Sequence, residues 1–198
     1  MSSFLFLASI TLVLLSILPV SSADRALDSD GDPIINGREY YIIPISGTSG
    51  LTYTQKHFQC PLYITKEKTE NSPGTPVKIS VTINIRTVIY LDEPIGLAFK
   101  SPTPCDDSPE WKQTWVTWDQ NVYITTGGVR TVPDSLPFFI TETDMSSDFI
   151  YALKFSVSDS KEVRFNVGLH ENGLLGLTEY PILVKFKKAF NVLELSTS

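Results

Sequence analysis

Few residues in this chain could do chemistry, and their spacing decides most of what that chemistry could be. Asp28-x-Asp30-x-Asp32, with Glu39 eleven residues beyond Asp28, copies the acidic spacing of a calcium loop. Pro33 stands where that loop needs a sharply turning glycine, and no helical pattern flanks it, so no metal is expected. His57 and His170 are the two histidines, and neither has a Cys, His or Asp at metal-ligand spacing. Gly-x-Ser-x-Gly is absent, so a hydrolase nucleophile elbow is not expected. Asp92-Glu93 and Asp106-Asp107 are adjacent pairs, and neighbours on a strand point to opposite faces. A glycosidase needs two carboxyls facing each other across a sugar, which these pairs do not supply. Trp111, Trp115 and Trp118 could form a sugar platform, but tryptophans at such positions more often fill a core. Cys60 and Cys105 allow one pairing, and the alternative to a bridge is two buried thiols.

The elements that must position these residues are strands. Short β-rich runs recur between turn formers at 40–45, 62–65, 77–85, 88–91, 96–100, 114–118, 122–125, 138–141, 150–157, 163–168 and 182–186. No long helical period interrupts them. The segments Gly96-Leu97-Ala98-Phe99-Lys100, Ala152-Leu153-Lys154-Phe155 and Leu183-Val184-Lys185-Phe186-Lys187 echo one another, which suits a threefold all-β architecture. A two-sheet sandwich would explain the same strands.

Residues 1–23 stand apart. Phe4 to Pro19 is apolar and uncharged, and Ser21-Ser22-Ala23 offers the small residues of a cleavage site. The n-region lacks Lys and Arg, and the run is shorter than a membrane span usually needs. A secretory signal peptide is therefore expected over a membrane anchor, leaving one domain over 24–198. An oxidising compartment favours a Cys60–Cys105 disulfide. No Asn-x-Ser/Thr sequon free of proline occurs. The formal net charge of −6 argues against nucleic acid and against an anionic membrane surface. The one basic cluster, Lys185-x-Lys187-Lys188, reads as the wet face of a strand.

Ala26-Leu27-Asp28, Gly31, Ile34, Tyr40 and Ile42 fall on a spaced pattern that resembles the opening signature of the plant Kunitz (soybean-trypsin-inhibitor-type) family. Ala26 is smaller than the pattern prefers. Cys60-Pro61-Leu62, Pro94-x-x-Leu97-x-Phe99, Glu110-Trp111 and Pro181 to Lys188 resemble four further family landmarks in the right order. The resemblance covers nearly all of 24–198 and implies a β-trefoil of twelve short strands with pseudo-threefold symmetry. Ser156 stands where most relatives carry a third cysteine, so a single-disulfide member is implied.

The resemblance also implies function: inhibition of a serine endopeptidase, without catalysis or cofactor, by a substrate-like loop between the fourth and fifth strands. That loop falls on Ile83, Asn84, Ile85, Arg86, Thr87 and Val88. Asn36 takes the place of the asparagine that supports it from behind. The residue entering the protease S1 pocket (P1) stays open. Counting from Pro94 and Phe99 gives Ile85, and counting from Cys60 gives Asn84. Arg86 lies one place on and would suit a trypsin-like pocket, the favoured partner. Ile85 would suit an elastase-like or chymotrypsin-like pocket poorly. The same β-branched run could equally be an uninterrupted strand with Arg86 on its wet face. A monomer is expected, in the apoplast or vacuole. The alternative is a non-inhibitory storage or carbohydrate- or partner-binding trefoil of the same family, and a glycosidase is the remote one.

Overall fold

The computed structural model describes residues 24–56, 60–81, 85–100, 105, 109–115, 120–126, 138–145, 148–156 and 163–189. The proposed leader, His57, Ile83, Asn84, Asp106-Asp107, Trp118 and part of the 150–157 run lie outside them. Twelve strands follow in order: β1 (Glu39–Pro44), β2 (Leu51–Thr54), β3 (Leu62–Lys66), β4 (Val77–Ser80), β5 (Gly96–Phe99), β6 (Trp111–Trp115), β7 (Val122–Thr126), β8 (Phe138–Glu142), β9 (Tyr151–Phe155), β10 (Phe165–Leu169), β11 (Leu175–Thr178) and β12 (Leu183–Lys188). No α-helix occurs among the described residues.

Six of the strands close a barrel. β1 pairs with β4 and β12, β4 with β5, β8 with β9, and β9 with β12. The remaining seam, between β5 and β8, is made by Ile95 and Phe138, which exchange both backbone hydrogen bonds at 2.9 and 3.2 Å. The other six strands are three hairpins, β2–β3, β6–β7 and β10–β11. β7 pairs with β3 and β11, and a bridge from Thr65 to Leu174 joins β3 to β11, so the hairpins form a triangular cap. A six-strand barrel closed by three hairpins is a β-trefoil, and the sandwich alternative is excluded.

Alternation sends one face of each barrel strand inward, as in β1, where Tyr40, Ile42 and Pro44 are buried between half-exposed neighbours. The barrel is filled by Phe99, Phe138, Phe155 and Phe186 with their aliphatic neighbours. Phe138 meets Phe155 edge to face at 5.2 Å, and Trp111 extends the aromatic chain from Phe99 to Phe138. The cap has its own threefold layer, with Tyr63, Tyr123 and Leu174 clustered together.

Several strand expectations are corrected. The 77–85 run ends as a strand at Ser80, and 88–91 contributes only isolated bridges from Val88 and Tyr90. The 114–118 run is seated earlier, at Trp111–Trp115. β2 and β11 were not expected at all. Two of the echoing segments, on β5 and β9, open their repeats as β1 opens the first, but the third lies on β12, which closes one. Cys60 and Cys105 are disulfide-bonded, with Cα atoms 5.7 Å apart.

Candidate reactive loop

The loop between β4 and β5 is positioned by the chain's first described segment. Ile89 N–H donates to Ile34 O (2.9 Å), Ala26 N–H to Ile89 O (3.0 Å) and Asn36 N–H to Thr87 O (2.9 Å). Residues 87–91 are thereby laid along the 24–36 ribbon, so the uninterrupted-strand reading of 80–90 does not hold. The ribbon turns at Asn36-Gly37, where Gly37 has φ +82°, a region open to glycine and strained for other residues. Its N–H then donates to Ile79 O (2.7 Å), tying the turn to β4.

That turn presents the Asn36 side chain to both shoulders of the loop. Val81 N–H donates to Asn36 Oδ1 at 3.2 Å, and Asn36 Nδ2 donates to Arg86 O at 2.9 Å. The amide satisfies both at once, its oxygen taking the donor on one shoulder and its nitrogen the acceptor on the other. Tyr40 supports the turn from the core: its hydroxyl oxygen accepts Ile35 N–H at 2.9 Å. Burial pushes the Tyr40 phenol above its ordinary value, against the opposing pull of that hydrogen bond.

Within the loop, Ile85 is 89% exposed. Arg86 behaves differently. Its Nη1 lies 2.6 Å from Glu93 Oε2, and its guanidinium carbon sits 5.4 Å from the centre of the Tyr90 ring. Glu93 uses its other oxygen to accept Tyr90 N–H at 2.8 Å, so one carboxylate fixes both residues. A cleft of about 360 Å³ runs along this half of the loop, lined by Ile85, Arg86, Thr87, Val88 and Tyr90. Thr87 and Val88 are held through their backbones, by Asn36 and by the bridge to Ile35.

The clamp formed by Glu93 and Tyr90 was not singled out from sequence. Its one signal is an acid seven residues beyond Arg86 in a turn, which reads as surface. Asp92, with φ +58°, faces the other way: it accepts Thr141 Oγ1 at 3.1 Å and pairs with Arg164, which lies 4.1 Å over the Phe139 ring. The Asp92-Glu93 pair is thus divided between two arginines.

The acidic triplet resolves in a similar way. Asp28 is fully buried, and its Oδ1 accepts Asp30 N–H (2.9 Å) and Asp32 N–H (3.1 Å). Lys188 Nζ reaches all three carboxylates, 3.3 Å from Asp28 Oδ2, 3.5 Å from Asp30 and in direct contact with Asp32. The hydrogen bond to Asp32, joined by Asp28, holds the Lys188 ammonium above its ordinary pKa. A lysine occupies the centre of the triplet, and Lys188 is not a free face residue. Trp111 is buried while Trp115 is 66% exposed, so the two share no platform. His170 packs edge-on against Tyr123 at 5.0 Å.

The six-strand barrel, its hairpin cap and the Asn36-bracketed loop between the fourth and fifth strands define a β-trefoil with one side-chain-tied loop. The chain belongs to the legume Kunitz family: that family's model, described as trypsin and protease inhibitor, matches residues 26–188. It is similar to trypsin inhibitor 2 of Psophocarpus tetragonolobus, 27% identical over 82% of this chain and 96% of that one. It is likewise similar to a Kunitz-type trypsin inhibitor-like 2 protein of Pisum sativum, 28% identical over 90% and 86%. Among solved structures it resembles trypsin inhibitor 1 from Senna obtusifolia, with TM-score 0.69 and 27% identity, covering 90% of this chain and 96% of that one.

Proposed function

We propose that this chain is a stoichiometric inhibitor of a serine endopeptidase, acting through the 83–88 loop. The observation that carries the reading is the Asn36 bracket, which ties Val81 to Arg86 across the loop. A loop already held in one conformation forfeits little entropy when it docks, which is how interfaces of modest area become tight. The uncharged leader over 1–23 and the disulfide support secretion, with the apoplast or vacuole as destination. The folded unit is 24–198, and it works as a monomer with the protease as its partner. Titration of the 24–198 protein against a panel of serine endopeptidases tests this. Linear loss of activity to a 1:1 end point is expected; slow turnover of the protein with no end point would reject inhibition.

A further inference from the structure

The geometry points to Ile85, not Arg86, as the residue this loop delivers to the S1 pocket, and hence to a target protease whose S1 pocket is apolar. The inference rests on the inhibitory reading above and names its partner. On sequence Arg86 is the attractive candidate, because a guanidinium suits an acidic pocket floor. Three observations set it aside.

The first is that the Arg86 side chain is already engaged. It is 44% exposed, paired at 2.6 Å with Glu93 and lying against Tyr90. Entering a pocket would strip Glu93, 14% exposed, of its partner. The second concerns the carbonyl. The P1 carbonyl must be free to enter the protease oxyanion hole and accept backbone N–H groups there. The Arg86 carbonyl already accepts from Asn36 Nδ2 at 2.9 Å. Among the described residues nothing donates to the Ile85 carbonyl. The third is exposure: at 89%, Ile85 is the most exposed large apolar side chain among the described residues. Its β-branch is a poor match for a deep, narrow slot and calls for a shallow apolar pocket with a wide mouth.

The bond presented for attack is then Ile85–Arg86. The protease serine Oγ adds to the Ile85 carbonyl carbon, the peptide C–N bond breaks, and the Arg86 amine leaves with a proton from the protease histidine. Asn36 on its carbonyl and Glu93 and Tyr90 on its guanidinium keep that amine beside the acyl ester. Cys60 and Cys105 flank the bond, so both fragments remain one molecule. The amine returns its proton, attacks the ester carbonyl, expels the serine and restores the peptide. Arg86 is a positioning residue.

The test titrates wild type, Ile85→Lys and Arg86→Ala against trypsin, chymotrypsin, neutrophil elastase and subtilisin. Wild type is then incubated with a catalytic amount of each inhibited protease at mildly acidic pH, reduced, and its new N-terminus sequenced. Stoichiometric inhibition of subtilisin is expected, with a new N-terminus beginning Arg86-Thr87-Val88. Ile85→Lys should tighten trypsin inhibition roughly 100-fold, the scale of a central interface residue. Arg86→Ala should keep the wild-type target yet be cleaved about 10-fold faster, the scale of one lost charged hydrogen bond. Trypsin inhibition abolished in Arg86→Ala, with a new N-terminus at Thr87, would overturn the inference and leave the inhibitory reading standing. If only Ile85→Lys inhibits, and only trypsin, the apolar target is refuted. If none of the three proteins inhibits anything, the inhibitory reading fails too.

Discussion

Asn36 concentrates the loop's preorganisation in one side chain. Its amide accepts from Val81 and donates to Arg86, while its own backbone N–H is spent on Thr87. Asn36→Ala removes the two side-chain bonds and spares the backbone one. Two such bonds contribute about 1–3 kcal/mol together. If that ordering is needed only when the protease docks, the inhibition constant should weaken about 5- to 150-fold. The free protein should melt within a few degrees of wild type. Inhibition titration and a thermal melt on the same sample check this: equal losses in both would make Asn36 a fold residue and not a loop residue. The turn at Asn36 was legible in the sequence, because Asn-Gly before a strand is a turn with a mechanism, whereas its place behind the loop was implied only by the family resemblance. The engagement of Arg86 was not. An arginine in a β-branched run looks free until the chain folds Glu93 back onto it, and no local pattern encodes that contact.

At the scale of elements, β1, β4 and β12 were legible because β-branched and aromatic residues recur along them, and β5, Gly-Leu-Ala-Phe, through its echo of the segments on β9 and β12. β11 went unseen for a physical reason, whereas β2, Leu-Thr-Tyr-Thr, has strand composition and was missed without one. β11 is Leu-Gly-Leu-Thr, and Gly176 weakens any strand reading made from propensity. The fold needs that glycine because β7 passes close by. A Cβ at 176 would stand 2.4 Å from both Val122 O and His170 Nε2. The imidazole can swing aside, but the carbonyl belongs to a paired strand. Gly176→Ala should therefore destabilise the cap by about 1–3 kcal/mol, as overpacking does. For a domain of this size that lowers Tm by roughly 2–12 °C, measurable by circular dichroism. Loop function, housed between two barrel strands, should keep its 1:1 end point well below the melt. The same distinction explains the misjudged 77–85 run. Its composition favours strand throughout, yet the ladder stops at Ser80, beyond which Val81 turns its N–H to Asn36.

Two long-range closures tie the described residues together. The disulfide spans 45 residues around the loop, and such a closure is worth about 4 kcal/mol in the chain-entropy model. Reduction should lower the urea midpoint accordingly, and protease-cleaved protein should separate into two fragments only after reduction. The other closure joins the first described segment to β9 and to the last strand. Ser29 N–H donates to Phe186 O (2.7 Å), Leu27 N–H donates to the Tyr151 hydroxyl oxygen (2.9 Å), and Lys188 gathers the three aspartates. The first of those aspartates sits wholly buried beneath that lysine. This clasp has a pH signature. Burial raises the phenols of Tyr40 and Tyr151 above 10.0, and its carboxylate partners raise Lys188 above 10.5. A group whose folded pKa is raised contributes fully below its unfolded value and loses that contribution as pH climbs through the folded one. Both kinds of group therefore act in the same direction. Unfolding free energy should be unaffected by them up to about pH 9, then fall from pH 10 upward. Urea titrations at pH 8, 9, 10 and 11, read beside phenolate absorbance near 295 nm, measure it. Tyr151→Phe should flatten the alkaline fall while lowering stability at pH 8, where Leu27 N–H loses its acceptor. An alkaline slope unchanged in Tyr151→Phe and in Lys188→Met alike would show that the clasp does not set it. Because Tyr40 also holds the turn that carries Asn36, protease inhibition should be lost over the same alkaline range.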